Sequence, residues 1–541
     1  MIPVLAPGWR WGVGAWCIAL LVVVPLGVIL SAWITPAWGV WHHLVDTLMV
    51  ELLVNTVILL VGVTFWVLLL GVGLAWLTAI YSFPGQRFFD WALLLPLAMP
   101  AYVLAFTMLG FLDYGGPLQH WLAARFGANG YWFPDARSPG MVVFLFSLSL
   151  YPYVYMLARS AFLGQGQRML EASRMLGRSP WGAFFHAALP MARPAIAAGC
   201  ALAAMEALAD FGAVSVFGFN TFTTAIYKAW FGLFNLSAAT QLATVLLLFV
   251  AVALAVERRM RGRARYFSSD THGRKERIPL RGSAAWMASG AAGLVFLLAF
   301  GLPMGQLLMW AWHRVAVDLD GRFWGLVWHT VVLGGAAALL ATVLAFLLGM
   351  ARRRRAGDRG TMLAIHLSTL GYALPGSVLA VGVMLTLVWL GRGMEVLWFG
   401  GSGVNGANWF GGGVFALLLA YLVRFLAVAN GPVESGLETI RPSLLEAARS
   451  LGSSTMDVVW RIEVPILRSG LVTAIVLVMV EVMKEMPATL LLRPFGWDTL
   501  AVRIHEMTSE GEWERAALPA VTLVLTGLLP VIWLIRRSGR G

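Results

Sequence analysis

Charged residues are scarce in this 541-residue chain, at 12% of the sequence against 59% apolar residues. Soluble proteins carry about 25% charged residues, so these charges are too few to cover a soluble surface of this size. Cysteine is almost missing too. Cys17 and Cys200 both lie in apolar runs, which argues against a disulfide framework or a cysteine metal cluster.

Sequence signatures of catalysis are also missing. The chain has no G-x-x-x-x-G-K-[ST] phosphate loop, so it does not encode the usual means of binding ATP. Its nine histidines show no HExxH or other metal-ligand spacing. We therefore predict that the protein is not an enzyme and holds no cofactor, and any ATP hydrolysis must come from a partner. The sequence leaves metal binding open.

Long apolar runs are what the chain has in abundance. Continuous runs of about 20 residues predict transmembrane helices, and their lack of alternation favours helices over a β-barrel. We predict an all-α polytopic membrane protein with about twelve transmembrane helices, in contact with lipid. The predicted spans are 11–35, 50–80, 90–112, 140–163, 194–217, 236–256, 285–312, 324–351, 362–391, 412–431, 469–492 and 515–535.

In a soluble protein the net charge of +12 could indicate a nucleic-acid partner. Here the arginines cluster beside predicted spans, which indicates membrane topology instead. With twelve spans and a cytoplasmic N-terminus, all four clusters fall on the cytoplasmic side, and so does the C-terminus. We therefore predict no nucleic-acid partner, and we interpret the first apolar run as a retained span, the alternative being a cleaved leader. The clusters are Arg258–Arg265, Arg274–Arg281, Arg352–Arg355 and Arg536–Arg540.

The two halves of the chain repeat each other at an offset of 275 residues. Each half holds six predicted spans, an even number, so the copies are parallel. We predict a first repeat over 1–256, a basic cytoplasmic linker over 257–284 and a second repeat over 285–541. The paired segments are 171–190 with 446–465, 206–228 with 481–503, Pro100–Ala105 with Pro375–Ala380, and, at an offset of 274, Asn55–Val57 with His329–Val331.

The most polar repeated segment predicts two short helices with a break between them, once per half. Glycine favours the left-handed conformation that ends a helix, and proline limits the next one. Capping pairs are expected at Ser443 with Glu446, at Ser454 with Asp457, and at Ser179 before Pro180. The first copy has no serine or threonine three residues before Glu171. Capping therefore does not explain why both copies keep a glutamate, which favours an outward-facing role.

This segment resembles the cytoplasmic signature of permease subunits of binding-protein-dependent ABC importers. That signature is Glu-Ala-Ala, three residues, Gly, nine residues, Ile, one residue, Leu-Pro. The second copy departs only at Val464. The first copy has Ser173 for the third residue and Ala187 for isoleucine, but keeps Leu189-Pro190. The likeness to the fused, ferric-iron members of this family covers nearly the whole chain.

The resemblance implies the type I ABC importer permease fold in a bacterial inner membrane. It also implies a periplasmic substrate-binding protein and two separate ATP-binding cassette ATPase subunits as partners. Coupling helices of the permease would dock on those subunits. The residues that match the signature are Glu171, Ala172, Gly177, Pro190, Glu446, Ala447, Gly452 and Pro465.

The cargo is less firmly indicated than the family. Residues 208–231 and 481–503 look like segments of fused ferric-iron permeases, which implies import of ferric iron. Fused permeases for thiamine or phosphonates share the architecture, and polyamine or sulfate systems share the motif on separate subunits.

Acidic residues within two predicted spans are candidates for the translocation pathway. Glu206 aligns with Glu481 and Asp210 with Glu485, each roughly 16–22 Å past the cytoplasmic start of its span at 1.5 Å per residue. A charge at this depth costs several kcal/mol unless it is paired or faces water. The alternative is a structural cluster, with Lys484 neutralising Glu481 across one turn.

Two further alternatives stay open. The loops 113–139 and 392–411 are rich in glycine and aromatic residues, which indicates either interfacial aromatic belts or a surface for an extracytoplasmic partner. A secondary transporter driven by an ion gradient, with the acids as coupling sites, is a second functional class. It gives no reason for two cytoplasmic motifs in register.

Overall fold

The computed structural model describes residues 9–34, 36, 38–127, 130–175, 177, 179–261, 277–355, 357–399 and 413–538. Helices dominate these ranges. The helices are α1 Trp9–Ser31, α2 Trp38–Thr47, α3 Met49–Ile80, α4 Gln86–Ala92, α5 Ala101–Leu112, α6 Pro117–Phe126, α7 Pro139–Met175, α8 Pro180–Ala183, α9 Leu189–Ala209, α10 Gly212–Val216, α11 Phe222–Tyr227, α12 Leu236–Arg261, α13 Ser283–Phe296, α14 Leu302–Asp318, α15 Gly321–Arg354, α16 Arg359–Ser368, α17 Gly376–Phe399, α18 Val414–Glu438, α19 Pro442–Ser450, α20 Thr455–Val458, α21 Val464–Lys484, α22 Pro487–Leu492, α23 Leu500–Ser509 and α24 Trp513–Ser538.

Shorter elements join several of these helices. Residues Leu95–Ala98 and Leu370–Ala373 form 3₁₀ turns. Wider π-helical turns occupy Phe184–Ala188, Lys228–Gly232, Leu297–Gly301 and Val459–Glu463. Strands β1 (Tyr81–Ser82) and β2 (Ile278–Pro279) form one short parallel pair.

Ten helices in the described ranges are long and apolar enough to cross a membrane. The helix pair Gln86–Ala98 and Ala101–Phe126, which is bent by 95°, would be an eleventh span if the two helices together form one. This agrees with the predicted all-α polytopic fold. The twelfth predicted span, 515–535, coincides with α24, which is not among the ten. The ten are Trp9–Ser31, Met49–Ile80, Pro139–Gly164, Trp181–Ala209, Leu236–Glu257, Ser283–Asp318, Gly321–Arg354, Gly376–Met394, Val414–Glu438 and Met456–Lys484.

The chain folds into two compact units. Unit 1 comprises Met1–Trp38, Ile226–Thr244 and Leu319–Arg503. Within it α1 packs against α15, α16 and α17, and Gly382 lies where a Cβ atom would come within 2.7 Å of Ile29. The first helix of the chain therefore belongs to the unit that holds most of the second repeat.

Unit 2 comprises Gly39–Ala225, Val245–Asp318 and Ile504–Gly541. Its centre is the packing of α3, α7 and α9, where small residues allow close approach. A Cβ atom on Gly71 or Gly199 would lie 2.6 or 2.8 Å from atoms of Val154. Helices α14 and α24, from the second half of the chain, also pack within this unit. The predicted domain boundaries describe sequence repeats and remain a prediction, whereas the compact units describe packing and cross those boundaries.

The end of the predicted linker is bound to unit 2. Strand β2 pairs with β1, and the Leu280 amide donates to the Ser82 carbonyl at 3.0 Å. Arg277 lies 3.1 Å from the Asp90 carboxylate, which also lies 2.8 Å from Arg159 of α7. Linker residues 262–276, loop residues 128–129, and 400–411 of the second predicted loop lie outside the described residues.

Candidate functional site

Each repeated polar segment bends at its predicted glycine. We call 171–190 the first motif segment and 446–465 the second. Gly177 has a φ of 78° and Gly452 a φ of 84°, both in the left-handed region, which confirms the predicted breaks. At the second break the amides of Leu451 and Ser453 donate to the carbonyls of Ala447 and Ala448, both at 3.1 Å, so two of the last four carbonyls of α19 are satisfied.

The predicted caps of the second short helix in each segment are present. The Ser179 hydroxyl accepts from the Gly182 amide at 3.1 Å. The Ser454 hydroxyl accepts from the Asp457 amide at 3.2 Å and donates to the Asp457 carboxylate. The cap predicted at Ser443 is wrong, because α19 begins at Pro442 and Ser443 lies inside its first turn. Proline at the start of a helix needs no amide partner, so the helix begins at Pro442, two residues before the start at Leu444 that the capping pattern indicates.

The prediction that Pro190 and Pro465 end their helices is also wrong. Each proline is the second residue of a long helix, α9 or α21, that follows directly on a π-helical turn. In the wider turn each hydrogen bond spans five residues. The Leu189 amide, just before Pro190, donates to the Phe184 carbonyl, and the Val464 amide, just before Pro465, donates to the Val459 carbonyl. We call the resulting continuous helices the first motif helix (Trp181–Ala209) and the second motif helix (Met456–Lys484).

The signature residues lie as follows. Glu171 and Ala172 lie in the last turns of α7, and their side chains are outside the described residues. In α19, Leu445 and Ala448 are buried, whereas Glu446 and Ala447 are exposed, as an outward-facing role requires. The remaining signature residues, Gly177, Gly452, Pro190 and Pro465, are exposed.

Sequence reasoning missed large apolar side chains beside the motif residues. Met456 and Trp460 are 64% and 65% exposed, and their counterparts Trp181 and Phe185 are exposed as well. Leu451, next to the second glycine, is 86% exposed. Exposed apolar patches commonly mark interaction or membrane surfaces. The sequence already contains this pattern: Met456 and Trp460 are four residues apart, as are Trp181 and Phe185. Residues at this spacing share one face of a helix.

Both motif helices end at the aligned acidic residues. The first ends at Ala209 and the second at Lys484, and the next residues, Asp210 and Glu485, have nearly the same extended backbone. Short helices α10 and α22 then start two residues later. The predicted spans 194–217 and 469–492 are therefore broken helices, since hydropathy reports apolar content and not backbone continuity.

The two acids at the breaks cap the short helices that follow them. The Asp210 carboxylate accepts from the amides of Ala213 at 2.8 Å and Val214 at 3.3 Å. The Glu485 carboxylate accepts from the Ala488 amide at 2.8 Å. The carbonyls of Asp210 and Glu485 each accept from a threonine hydroxyl at 2.7 Å. Each break thus satisfies backbone groups that would otherwise be costly inside a membrane.

The second repeat neutralises its acids. Glu485 is buried and lies 3.0 Å from Arg424 of α18. Glu481 lies 3.1 Å from Lys484, the pairing that the structural alternative predicts. In the first repeat Glu206 and Asp210 are half-buried, and residues aligned with the two cations are Ser149 and Ala209. Glu206 and Asp210 belong to unit 2, and Glu481 and Glu485 belong to unit 1.

No group of three or more histidine, cysteine or acidic side chains among the described residues is arranged to hold a metal ion. The candidate site is made of two polar motif segments with exposed residues, each continuous with a long helix that ends at an acid-capped break. This arrangement defines a class of protein: a polytopic α-helical membrane protein with a duplicated polar segment.

Comparison with known families identifies the class further. The family described as "Binding-protein-dependent transport system inner membrane component" matches residues 68–262 and again residues 340–540. The chain belongs to this family. The two matches also confirm the internal duplication, because each match contains one motif segment.

Curated relatives are transport permeases. The chain is 30% identical over 495 residues to "Fe(3+)-transport system permease protein FbpB 2" of Haemophilus influenzae, which covers 90% of each chain. It is 22% identical over 460 residues to "Ferric transport system permease protein FbpB" of Actinobacillus pleuropneumoniae, covering 81% of this chain and 64% of that one. A "Putative 2-aminoethylphosphonate transport system permease protein PhnV" of Salmonella paratyphi A is 27% identical over 275 residues, covering 48% of this chain and 96% of the relative. That relative therefore corresponds to one half of this chain.

Proposed function

We propose that this chain is the translocation subunit of an ATP-driven importer that carries ferric iron from a periplasmic binding protein into the cytoplasm. Two ATP-binding cassette ATPase subunits would dock on the two motif segments. The chain would lie in a bacterial inner membrane with both termini in the cytoplasm. The relative of 30% identity over 90% of the chain, named as an Fe(3+) permease, supports the cargo.

One observation carries the ATP-driven mechanism. Each motif segment has a left-handed glycine, exposed motif residues and a π-helical turn at the same offset, and each continues into a helix of 29 residues. At 1.5 Å per residue such a helix is about 43 Å long, enough to cross the hydrocarbon core of a bilayer. A displacement of the motif segment would therefore move the acid-capped break at the far end.

In this proposal the two halves alternate between outward-open and inward-open states. ATP binding would close the ATPase pair and draw the motif segments together, and hydrolysis would release them. The acids Glu206, Asp210, Glu481 and Glu485 remain pathway candidates. The ion pairs at Glu481 and Glu485 favour a structural role for these two.

Docking is tested by changing the backbone preference of the motif glycine. A Cβ atom on Gly452 meets nothing within 4 Å, so a substitution there acts through the backbone and not through a clash. A β-branched residue in the left-handed region costs about 1–2 kcal/mol or more, whereas asparagine tolerates that region. We expect Gly452→Val to weaken co-purification of the ATPase about tenfold, at 1.4 kcal/mol per factor of ten, and Gly452→Asn to retain it. Equal retention by both variants would contradict docking at this segment.

Transport itself is measured in proteoliposomes that contain the permease with its ATPase and are supplied with the iron-loaded binding protein. Accumulation of radioactive iron should require ATP and should not follow an imposed proton gradient. Accumulation driven by the gradient without ATP would favour the secondary-transporter alternative. Uptake of thiamine, phosphonate or polyamine in place of iron would retain the importer and replace the cargo.

A further inference from the structure

Unit 2 contains a large apolar groove. Its volume is about 1510 Å³, and its walls are formed mainly by α3, α13 and the first motif helix. Phe65 and Leu69 of α3 are 58% and 55% exposed, and Met287 of α13 is 67% exposed. Pockets for small molecules measure about 300–1,000 Å³, so this groove has room for a larger apolar ligand.

The groove is about as long as one leaflet of a bilayer. Along α3 its wall extends from Thr64 to Leu77, which is about 20 Å at 1.5 Å per residue. Along α13 its wall extends from Ala284 to Val295, which is about 17 Å. One leaflet contributes about 15 Å, half of the hydrocarbon core. An acyl chain lying along the groove would therefore reach from the membrane surface to about the middle of the bilayer.

One end of the groove has the features of a membrane–water interface. Tyr81 lies there, directly after the end of α3, and so does Leu280, which follows β2. The Trp76 ring lies 6.5 Å from the Tyr81 ring and 4.8 Å from the Phe184 ring. Tryptophan and tyrosine are enriched at the level of the lipid headgroups. In the proposed orientation this end faces the cytoplasm, because the linker and the first motif segment lie there.

A cation lies on the wall of this apolar groove. In the part of the chain that the structure describes, Arg193 of the first motif helix is the one charged residue that lines the groove, and it is exposed. It directly precedes the predicted span 194–217, at the level where that span enters the membrane. Arginine binds phosphate with two parallel hydrogen bonds. An anionic headgroup at this position would therefore meet a cation, with no carboxylate among the described lining residues to repel it.

We propose that this groove binds one phospholipid of the surrounding membrane, with its phosphate on Arg193 and its acyl chains against α3, α13 and the first motif helix. The groove fits such a ligand in charge and in length. A lipid bound here would also contact Leu189 and Pro190, which line the groove, and would thus join the first motif segment to the bilayer. The site depends on neither the cargo nor the ATPase, and only the choice of the cytoplasmic leaflet rests on the proposed orientation.

The two cysteines of the chain allow binding to be measured at the groove itself. Cys200 lines the groove, whereas Cys17 is an exposed residue of α1 in unit 1. The assay follows alkylation of both thiols by N-ethylmaleimide in the full-length protein in maltoside detergent while phosphatidylglycerol is added. We expect alkylation of Cys200 to slow until the lipid saturates, and that of Cys17 to stay unchanged. Equal slowing at both thiols would indicate a general effect of the micelle and would overturn the site.

The phosphate contact is tested by changing the lipid and the protein in parallel. Diacylglycerol with the same acyl chains lacks the phosphate, and Arg193→Gln lacks the cation. A basic side chain beside an anionic lipid contributes about a factor of five in affinity, so either change should weaken protection of Cys200 about fivefold. The two effects should not add, because both remove the same contact.

The aligned arginine of the second motif helix supplies a matched control. Arg468 is also exposed, but it belongs to unit 1, so Arg468→Gln should keep the wild-type protection of Cys200. An equal loss in Arg468→Gln would show that net charge is responsible and would overturn the contact with Arg193. Equal protection of the wild type by phosphatidylglycerol and diacylglycerol would overturn it as well.

Filling the groove tests the position of the acyl chains. A Cβ atom on Gly73 of α3 meets nothing within 4 Å, so the side chain of Gly73→Trp can occupy the groove without a clash at Cβ. Native mass spectrometry should show one phosphatidylglycerol retained by the wild type and roughly tenfold weaker retention by Gly73→Trp, as expected if about two methylene groups lose their contacts.

The control for this variant is Gly290→Trp. Gly290 of α13 is exposed and equally open, and it does not line the groove, so retention should equal that of the wild type. Full retention by Gly73→Trp would overturn the proposed position of the lipid. Protection of Cys200 by the ATPase, with none by phosphatidylglycerol, would assign the groove to a protein partner and would overturn the proposal.

Discussion

Replacing Gly376 by alanine is expected to break the buried ion pair at the second break. A Cβ atom on Gly376, the first residue of α17, would lie 2.3 Å from Nη1 of Arg424 and 2.4 Å from Oε1 of Glu485. Favourable contacts between heavy atoms begin at about 3.5 Å, so both groups must withdraw by about 1 Å. Breaking a buried pair costs about 3–5 kcal/mol, and we expect Gly376→Ala to lower the free energy of unfolding by that order.

The measurement is thermal unfolding of the purified protein in detergent, followed by tryptophan fluorescence. The first repeat supplies a matched control, because Ala101 occupies the position aligned with Gly376. Ala101→Gly should change stability by about 1 kcal/mol at most, the usual difference between these residues in a helix.

A variant without either charge tests the cause of the effect. Gly376→Ala combined with Arg424→Ser and Glu485→Gln leaves neither a guanidinium for the added methyl group to displace nor an unpaired buried carboxylate, so this triple variant should be more stable than Gly376→Ala alone. An unfolding midpoint for Gly376→Ala equal to that of the wild type would contradict the predicted clash.

Two smaller effects follow from local contacts. Tyr421→Phe removes the hydroxyl that lies 2.6 Å from Thr489, and unfolding in detergent should show a loss of about 0.5–1.5 kcal/mol with the helix break intact; a loss above that of Gly376→Ala would contradict this ranking. Hydrogen bonds from the side chain and amide of Thr361 hold the pKa of Asp358 below its usual value, so the cap of α16 is stable above the ordinary aspartate pKa and weakens as pH falls through the lowered value. Exchange of the Thr361 amide, corrected for its intrinsic rate, should therefore accelerate below about pH 4, and this acceleration should be missing in Asp358→Asn.

The sequence located the motif segments more accurately than the helices that contain them. The predicted glycine breaks and two of the three caps are correct, because left-handed glycines and serine caps depend on residues within one or two turns. The predicted helix ends at Pro190 and Pro465 are wrong, since a π-helical turn can accommodate a proline without ending the helix. The span boundaries 194–217 and 469–492 missed the breaks at Asp210 and Glu485 for a related reason: a broken helix and a continuous one can have the same hydropathy.

The helical membrane fold, the duplication and the motif segments can be predicted from the sequence, because they depend on composition, on runs of adjacent residues and on a constant offset. Which charges are neutralised and which helices pack together can be seen only after folding. Arg424 and Glu485 are 61 residues apart in the chain, and no local pattern joins them. The same holds for α1, whose partners α15 to α17 lie in the other half of the sequence. Such pairings depend on the distances between elements after folding.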